Sequence, residues 1–283
     1  MALNFLDMCS PPVHTASDRA CAEIDVKRFS NWRDLPMSAL LTEGINQFAV
    51  RFARTVLPNV MEGRLRVLPV GIRNLEQVAE LGQGPFLVEG DVSQFGPTAR
   101  VRISVRKMAA HATPVLMRAE VAAAVAGVVA VADGSAAHAD SVSPLQWQVN
   151  SDPLFHLTSP LNQLDRYGFE VNPDCPLLEE HFPGFAVAPG SLMLAFVWEQ
   201  AARRLGVASN KLRIDDARFV RPITPGVQYT CSLRDLVADG KPGRYRFVLS
   251  AANGEVHTQG VFHFEGVPAS LAAPHARATE VAA

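Results

Sequence analysis

The chain has 283 residues, 48% of them hydrophobic and 19% charged, with a formal net charge of −2. That composition supplies a substantial core and excludes a disordered chain, and the missing basic excess argues against a nucleic-acid partner. The first residues, MALNFLDMCSPPV, lack the basic start and apolar run of a secretory leader, and the longest apolar run, residues 121–132, is shorter than the ~20 residues of a membrane span. A cytoplasmic chain with no membrane association is expected. Its four cysteines, Cys9, Cys21, Cys175 and Cys231, have neither Cys-x-x-Cys nor metal spacing and are expected to be reduced thiols.

In chain order, residues 22–26 (AEIDV) are extended, and residues 37–57 form a long, mostly apolar helical segment. Pro36 precedes this segment, and Ser38 in its first turn is a candidate cap. Three strand-like runs follow at 84–92, 99–107 and 114–125, alternating apolar and polar residues. The stretch 127–143 is small and partly polar and reads as a linker. The plan then repeats. Residues 165–171 are extended, Pro189 precedes a helix over 191–205 with Ser191 as its candidate cap, and strand-like runs occupy 217–233, 243–251 and 255–264. The tail lacks aromatics and periodicity and reads as disordered.

A helix apolar nearly all round must be wrapped by sheet. The expected architecture is therefore α+β and internally duplicated, each copy an antiparallel sheet around one long helix. Expected boundaries are 1–130 for the first copy, 131–266 for the linker and second copy, and 267–283 for the tail. Tyr167 and Trp198 read as core residues.

Residues 179–206 read EEHFPGFAVAPGSLMLAFVWEQAARRLG. The pattern His181-Phe-Pro183-Gly184, four residues, then Pro189-Gly190 resembles the active-site motif of the β-hydroxyacyl-ACP dehydratases, which have the hotdog fold. The segment ARFVRPITPG, residues 217–226, resembles the strand and turn that follow the helix in that family. The resemblance is specific over 165–266 and rests on plan and a few positions in the first copy. It implies a double hotdog, in which the two copies pair within one chain as single hotdogs pair in dimers.

In the family, the histidine works with a carboxylate fourteen residues later, in a Glu/Asp-x-x-x-Gln pattern on the helix. Fourteen residues after His181 stands Ala195. The first helix carries Glu43-Gly-Ile-Asn-Gln47, and fourteen residues before Glu43 stands Phe29. One copy keeps the base and the other keeps the acid. Family sites lie at the pairing interface, so the resemblance implies one composite site of His181 and Glu43, and a dead mirror site of Phe29 and Ala195.

Dehydrating a β-hydroxyacyl thioester needs a base for the Cα proton, an acid for the departing hydroxyl and a dipole for the thioester oxygen. His181 fits the base, and Glu43, in an apolar surrounding, fits the acid. Helix N-terminal amides can serve the oxygen; Gly190 is the candidate donor, and the start of the first helix near Ser38 is the alternative. Gln47, one turn from Glu43, supports the acid, and Pro183 and Gly184 shape the turn presenting His181. Glu199 competes with Glu43 as the acid.

The resemblance implies a 3-hydroxyacyl dehydratase in fatty-acid, polyketide or polyene assembly, acting on an acyl carrier protein or acyl-CoA substrate. No metal or redox cofactor is expected, since the phosphopantetheine arm arrives with the substrate. A monomeric pseudo-dimer or a homodimer of double hotdogs would both fit. Arg203, Arg204, Arg218 and Arg221 are expected members of a basic rim for an acidic carrier. A hotdog thioesterase and a non-catalytic carrier-binding scaffold remain alternatives, because fold alone does not decide chemistry.

Overall fold

The computed structural model describes residues 5–29, 33, 35–57, 65–109, 113–127, 154–158, 165–181, 185–207, 211–236 and 243–265. The expected linker at 127–143, apart from Gly127, the boundary at 130–131 and the expected disordered tail lie outside these residues, as do Pro183 and Gly184.

The first copy contains β1 (Val13–Ala16), β2 (Arg19–Ile24), the helix α1 (Met37–Ala53), and β3 (Leu65–Gln77), β4 (Phe86–Phe95), β5 (Thr98–Lys107) and β6 (Val115–Gly127). The second contains β7 (Phe155–Leu157), β8 (Arg166–Val171), the short helix α2 (Leu177–His181), α3 (Gly190–Leu205), and β9 (Arg213–Phe219), β10 (Gln228–Asp235), β11 (Arg244–Ala251) and β12 (Val256–His263). All join in one twelve-stranded sheet with the order β1-β2-β4-β5-β6-β3-β9-β12-β11-β10-β8-β7. Read outward from the middle, the two halves list corresponding strands in the same order. The chain is a double hotdog: two wrapped helices share one antiparallel sheet, closed at its centre by the β3–β9 seam.

The pattern of each strand explains its place. In β5, Ala99, Val101 and Val105 are buried while Arg100 and Arg102 face out; in β11, Tyr245, Phe247 and Leu249 are buried. This alternation offers one apolar face to a helix. Helix α1 buries Leu40, Leu41, Ile45, Phe48 and Phe52 against β2 to β6, and packs beside α3. Gly44 permits the close approach of α1 to β2, since a Cβ there would lie 2.8 Å from the Ile24 side chain. Trp198 of α3 stacks on Phe264 at 4.1 Å, and Phe247 on Phe262 at 4.3 Å. Tyr167 and Trp198 are core residues, as their sequence context implied.

Several boundaries differ from the sequence reading. The first helix ends at Ala53 rather than 57, giving way to a turn, and the second begins at Gly190. Residues 22–26 are the second half of β2 and the start of a 3-10 turn (Val26–Arg28). The run 217–233 divides into β9 and β10 around the RPITPG turn, where Gly226 takes φ 75°. Strand β3 has no clear alternation because Pro69, Gly71 and Asn74 interrupt it; the structure absorbs them in two register shifts. Neither Ser38 nor Ser191 caps its helix: Pro36 and Pro189 occupy the N-cap positions, with no side-chain cap bond.

No helix among the described residues is long and apolar enough to cross a membrane. At the seam, Gly71 faces the backbone of β9, and a Cβ there would lie 2.9 Å from the Ala217 carbonyl oxygen. Gly71→Val should therefore push the two copies apart, costing about 1–3 kcal/mol. Thermal unfolding of the variant should show a clearly lower midpoint than the parent; an unchanged midpoint would mean that the seam does not hold the halves together.

Candidate active site

The polar stripe of α1 runs through Glu43, Gln47 and Arg51, spaced four apart and so on one face. The N-terminal segment, residues 5–9, lies along it. Gln47 Nε2 donates to the Phe5 carbonyl at 2.9 Å and to Glu43 Oε1 at 3.1 Å, while Gln47 Oε1 accepts from the Cys9 N–H at 3.1 Å. The Arg51 guanidinium donates to the carbonyls of Cys9 and Leu6. Glu43 is 4% exposed. Its second oxygen, Oε2, accepts a 2.6 Å hydrogen bond from Ser191 Oγ, at the start of α3 in the other copy.

His181 closes α2, the short helix missed in the sequence. Its Nδ1 lies 3.0 Å from the Val187 carbonyl oxygen. A carbonyl only accepts, so Nδ1 carries the hydrogen and Nε2 of the neutral ring keeps a lone pair. The loop holding that carbonyl is tied to the RPITPG turn: the Ala188 N–H donates to the Ile223 carbonyl at 2.9 Å. The turn in its place is braced by the Tyr229 hydroxyl, which accepts from the Thr224 N–H at 2.9 Å, and by His257 Nδ1, 2.7 Å from the Pro222 carbonyl.

Burial lowers the pKa of His181 below its ordinary 6.5, and the Glu43 charge and the Val187 hydrogen bond oppose that shift in part. Glu43 and His181, 138 residues apart in sequence, thus lie close enough for one charge to act on the other. The Phe5 ring packs edge-on to both His181, at 6.1 Å between centroids, and Phe29, at 5.2 Å. The Phe5 N–H donates to Glu180 Oε1 at 3.1 Å. One N-terminal residue is therefore held by the neighbour of the acid on one copy and the neighbour of the histidine on the other.

Glu199 forms a 2.5 Å ion pair with Arg203 on the outer face of α3, so the structure gives the competing acid a surface partner. Phe29 is fully buried and Ala195 partly so; neither side chain offers a base or an acid. Gly190 begins α3, and the first intrahelical bond runs from the Met193 N–H to the Pro189 carbonyl at 3.0 Å. Its amide is thus one of the groups a helix start leaves for other partners. The glycine also serves packing, since a Cβ there would lie 2.9 Å from the Phe219 ring.

The four arginines expected to form a basic rim are engaged within the chain. Arg204 is buried, with its guanidinium 4.0 Å above the Tyr167 ring, because its aliphatic stem and flat head suit that aromatic face. Arg203, Arg218 and Arg221 each pair with an acid of this chain, Glu199, Asp216 and Glu255.

The sequence reading missed Ser191, Glu180 and Phe5 as neighbours of the site. Ser191 had one signal, a hydroxyl directly after Pro-Gly in an otherwise apolar run, and it was read as a cap. Its true partner is 148 residues away, beyond any local pattern.

Residues 162–261 match the ApeI-like family, described as ApeI dehydratase. Over 90 residues the chain is 32% identical to a 3-hydroxyacyl-[acyl-carrier-protein] dehydratase, FabZ, of Polynucleobacter asymbioticus; the match covers 29% of this chain and 58% of that protein's length. Among solved structures, an acyl-ACP thioesterase from Bacteroides thetaiotaomicron aligns over 87% of this chain and 98% of its own, with a TM-score of 0.52 and 9% identity. A 12:0-ACP thioesterase from Umbellularia californica aligns over 89% and 98%, with a TM-score of 0.50 and 12% identity. At those identities the two structures speak for the fold alone. Both sequence matches fall within the C-terminal copy, which over that stretch is similar to dehydratases, and the chain spans 58% of the curated relative's length.

The depressed pKa of His181 has a consequence for stability. As pH falls, the unfolded chain takes up this proton first, near its ordinary 6.5. The stabilising contribution is therefore complete above that value and is lost as pH falls toward the folded-state pKa. His181→Asn should lose less stability than the parent between pH 7.5 and 5.5 in denaturant titrations. Identical pH dependence in the two proteins would show that the imidazole is not held neutral by burial.

Proposed function

We propose that the protein removes water from β-hydroxyacyl thioesters, giving trans-2-enoyl thioesters, at one composite site formed by His181 and Glu43. The supporting observation is the arrangement across the two copies: an Nδ1–H imidazole from one beside a buried carboxyl group from the other. His181 Nε2 takes the Cα proton, and the C–H electron pair becomes the new Cα–Cβ double bond. The Cβ–O bond breaks as Glu43 gives its proton to the departing hydroxyl, which leaves as water. The imidazolium and carboxylate that result attract one another, and a proton passed back from histidine to glutamate restores the starting state.

Charge developing on the thioester oxygen is met by backbone N–H groups, with the Gly190 amide as the proposed donor. Gln47 holds Glu43 in place. No metal or redox group is required, because every proton has a named donor and acceptor on the chain or the substrate. The substrate is proposed to arrive on a phosphopantetheine arm. An acyl carrier protein is the favoured carrier, since the matched curated relative is named for that substrate; fatty-acid and polyketide assembly are the corresponding pathways.

Mass spectrometry of a 3-hydroxyacyl carrier protein after incubation distinguishes the readings. Loss of water is expected; release of the acyl group would indicate a thioesterase, and an unchanged carrier a non-catalytic partner. His181→Ala and Glu43→Gln should each lower kcat by about 10²–10⁴, the usual worth of a positioned acid or base. Because the two act as a unit, the double variant should lose little more than the worse single. Glu199→Gln should stay within a few-fold of the parent. A loss confined to Glu199→Gln, with Glu43→Gln active, would place the acid in the second copy instead.

A further inference from the structure

Glu43 meets a different hydrogen-bonding group on each of its two oxygens. On the Oε1 side, the Gln47 amide orientation is set independently of the carboxyl group. Its oxygen accepts the Cys9 N–H, so its nitrogen must be the atom facing Phe5 and Glu43. That nitrogen has two hydrogens; one goes to the Phe5 carbonyl and the other to Glu43 Oε1. Oε1 therefore always faces a donor and is the poor place for a proton. When Glu43 is protonated, its hydrogen belongs on Oε2.

Oε2 faces Ser191 Oγ at 2.6 Å in a buried contact between the copies. That length is typical of an O–H···O⁻ bond. A hydroxyl oxygen, unlike an amide nitrogen or an ammonium, can donate or accept. It can donate to the carboxylate and, after rotating its hydrogen, accept from the acid. A serine thus suits an oxygen whose protonation changes during turnover, as a fixed donor such as lysine would not.

We propose that Ser191 is a positioning residue of the dehydration site. It holds the proton-bearing oxygen of Glu43 across the interface and remains a partner for it in both protonation states. This assignment rests on the reading of Glu43 as the acid. Ser191 acts through Glu43 and exchanges no proton with the substrate. The copy that presents the histidine thereby also presents a hydroxyl to the acid of the other copy. Ser38 is likewise two residues after the N-cap proline of its helix, Pro36, although it precedes Glu43 by five residues and Ser191 precedes Ala195 by four. On the mirror side the acid's position is Ala195, so Ser38 has no carboxyl group to orient.

The test is single-turnover and steady-state dehydration by Ser191→Ala, Ser191→Thr and Ser38→Ala, with Ser191→Ala also combined with Glu43→Gln. Ser191→Ala should lower kcat about 10–100-fold, the scale of a misplaced reacting group, with KM within about twofold of the parent, as for a group felt mainly in the transition state. Ser191→Thr keeps the hydroxyl and should recover most of the rate, while Ser38→Ala should match the parent. In the Glu43→Gln background, Ser191→Ala should add little. A parental kcat in Ser191→Ala, an Ala-like rate in Ser191→Thr, or a full additional loss in the Glu43→Gln background would each overturn the assignment while leaving the composite site in place. Full activity in Glu43→Gln alone would instead remove the composite site, and the role of Ser191 with it.

Discussion

The structure turns on a carboxyl group withdrawn from water at the meeting of two copies of one fold. Burying Glu43 without partners would be costly, because a desolvated carboxylate loses its hydration and gains nothing in return. The chain answers with Gln47 from the same helix and Ser191 from the other. Those partners need α1 and α3 side by side at a fixed offset, and the β3–β9 seam holds the two wrapped sheets in that relation. Each level of the fold is therefore answerable to one side chain: strand register sets the seam, the seam sets the helix pair, and the helix pair satisfies the acid.

The histidine is prepared in the opposite sense. Burial disfavours its charged form, and the Val187 carbonyl fixes which nitrogen keeps the hydrogen. A neutral ring with its lone pair on Nε2 is the form a base requires at neutral pH. The nearby Glu43 charge works against the burial effect but does not reverse it. In the proposed dehydration, which leaves the imidazole protonated, a carboxylate beside it stabilises the product state of the proton transfer.

Under the proposed function, duplication explains how two incomplete copies make one complete site. In a symmetric pair, every loss would strike both sites at once. A tandem chain frees the halves to differ, and here one keeps the histidine while the other keeps the acid. Phe29, fourteen residues before Glu43 as His181 is fourteen before Ala195, is buried and packs edge-on to Phe5. Phe5 is then held between the copies, its N–H on Glu180 and its carbonyl on Gln47. The N-terminal segment thus packs against residues of both copies, beside His181 and Gln47.

Much of this was legible in order along the chain. The repeated helix-then-strands plan followed from hydrophobic periodicity, which local sequence encodes because burial of a helix or strand face is a local pattern. The His181 motif and the Glu43–Gln47 spacing were visible for the same reason: residues on one turn or one helix face recur at short intervals. Strand β3 escaped because Pro69, Gly71 and Asn74 break its alternation, and only pairing with β6 and β9 makes it a strand. Arg204 reads as a rim charge in sequence because its stacking partner, Tyr167, lies on β8 and not on its own helix. Ser191 was read as a cap because a cap is what a serine near a helix start usually is; its bond to Glu43 spans 148 residues. The sequence by itself determined which residues could act and which elements would carry them. Only the tertiary structure decided which of them meet, because a contact between distant segments is set by how the two sheets join, and no local pattern encodes that.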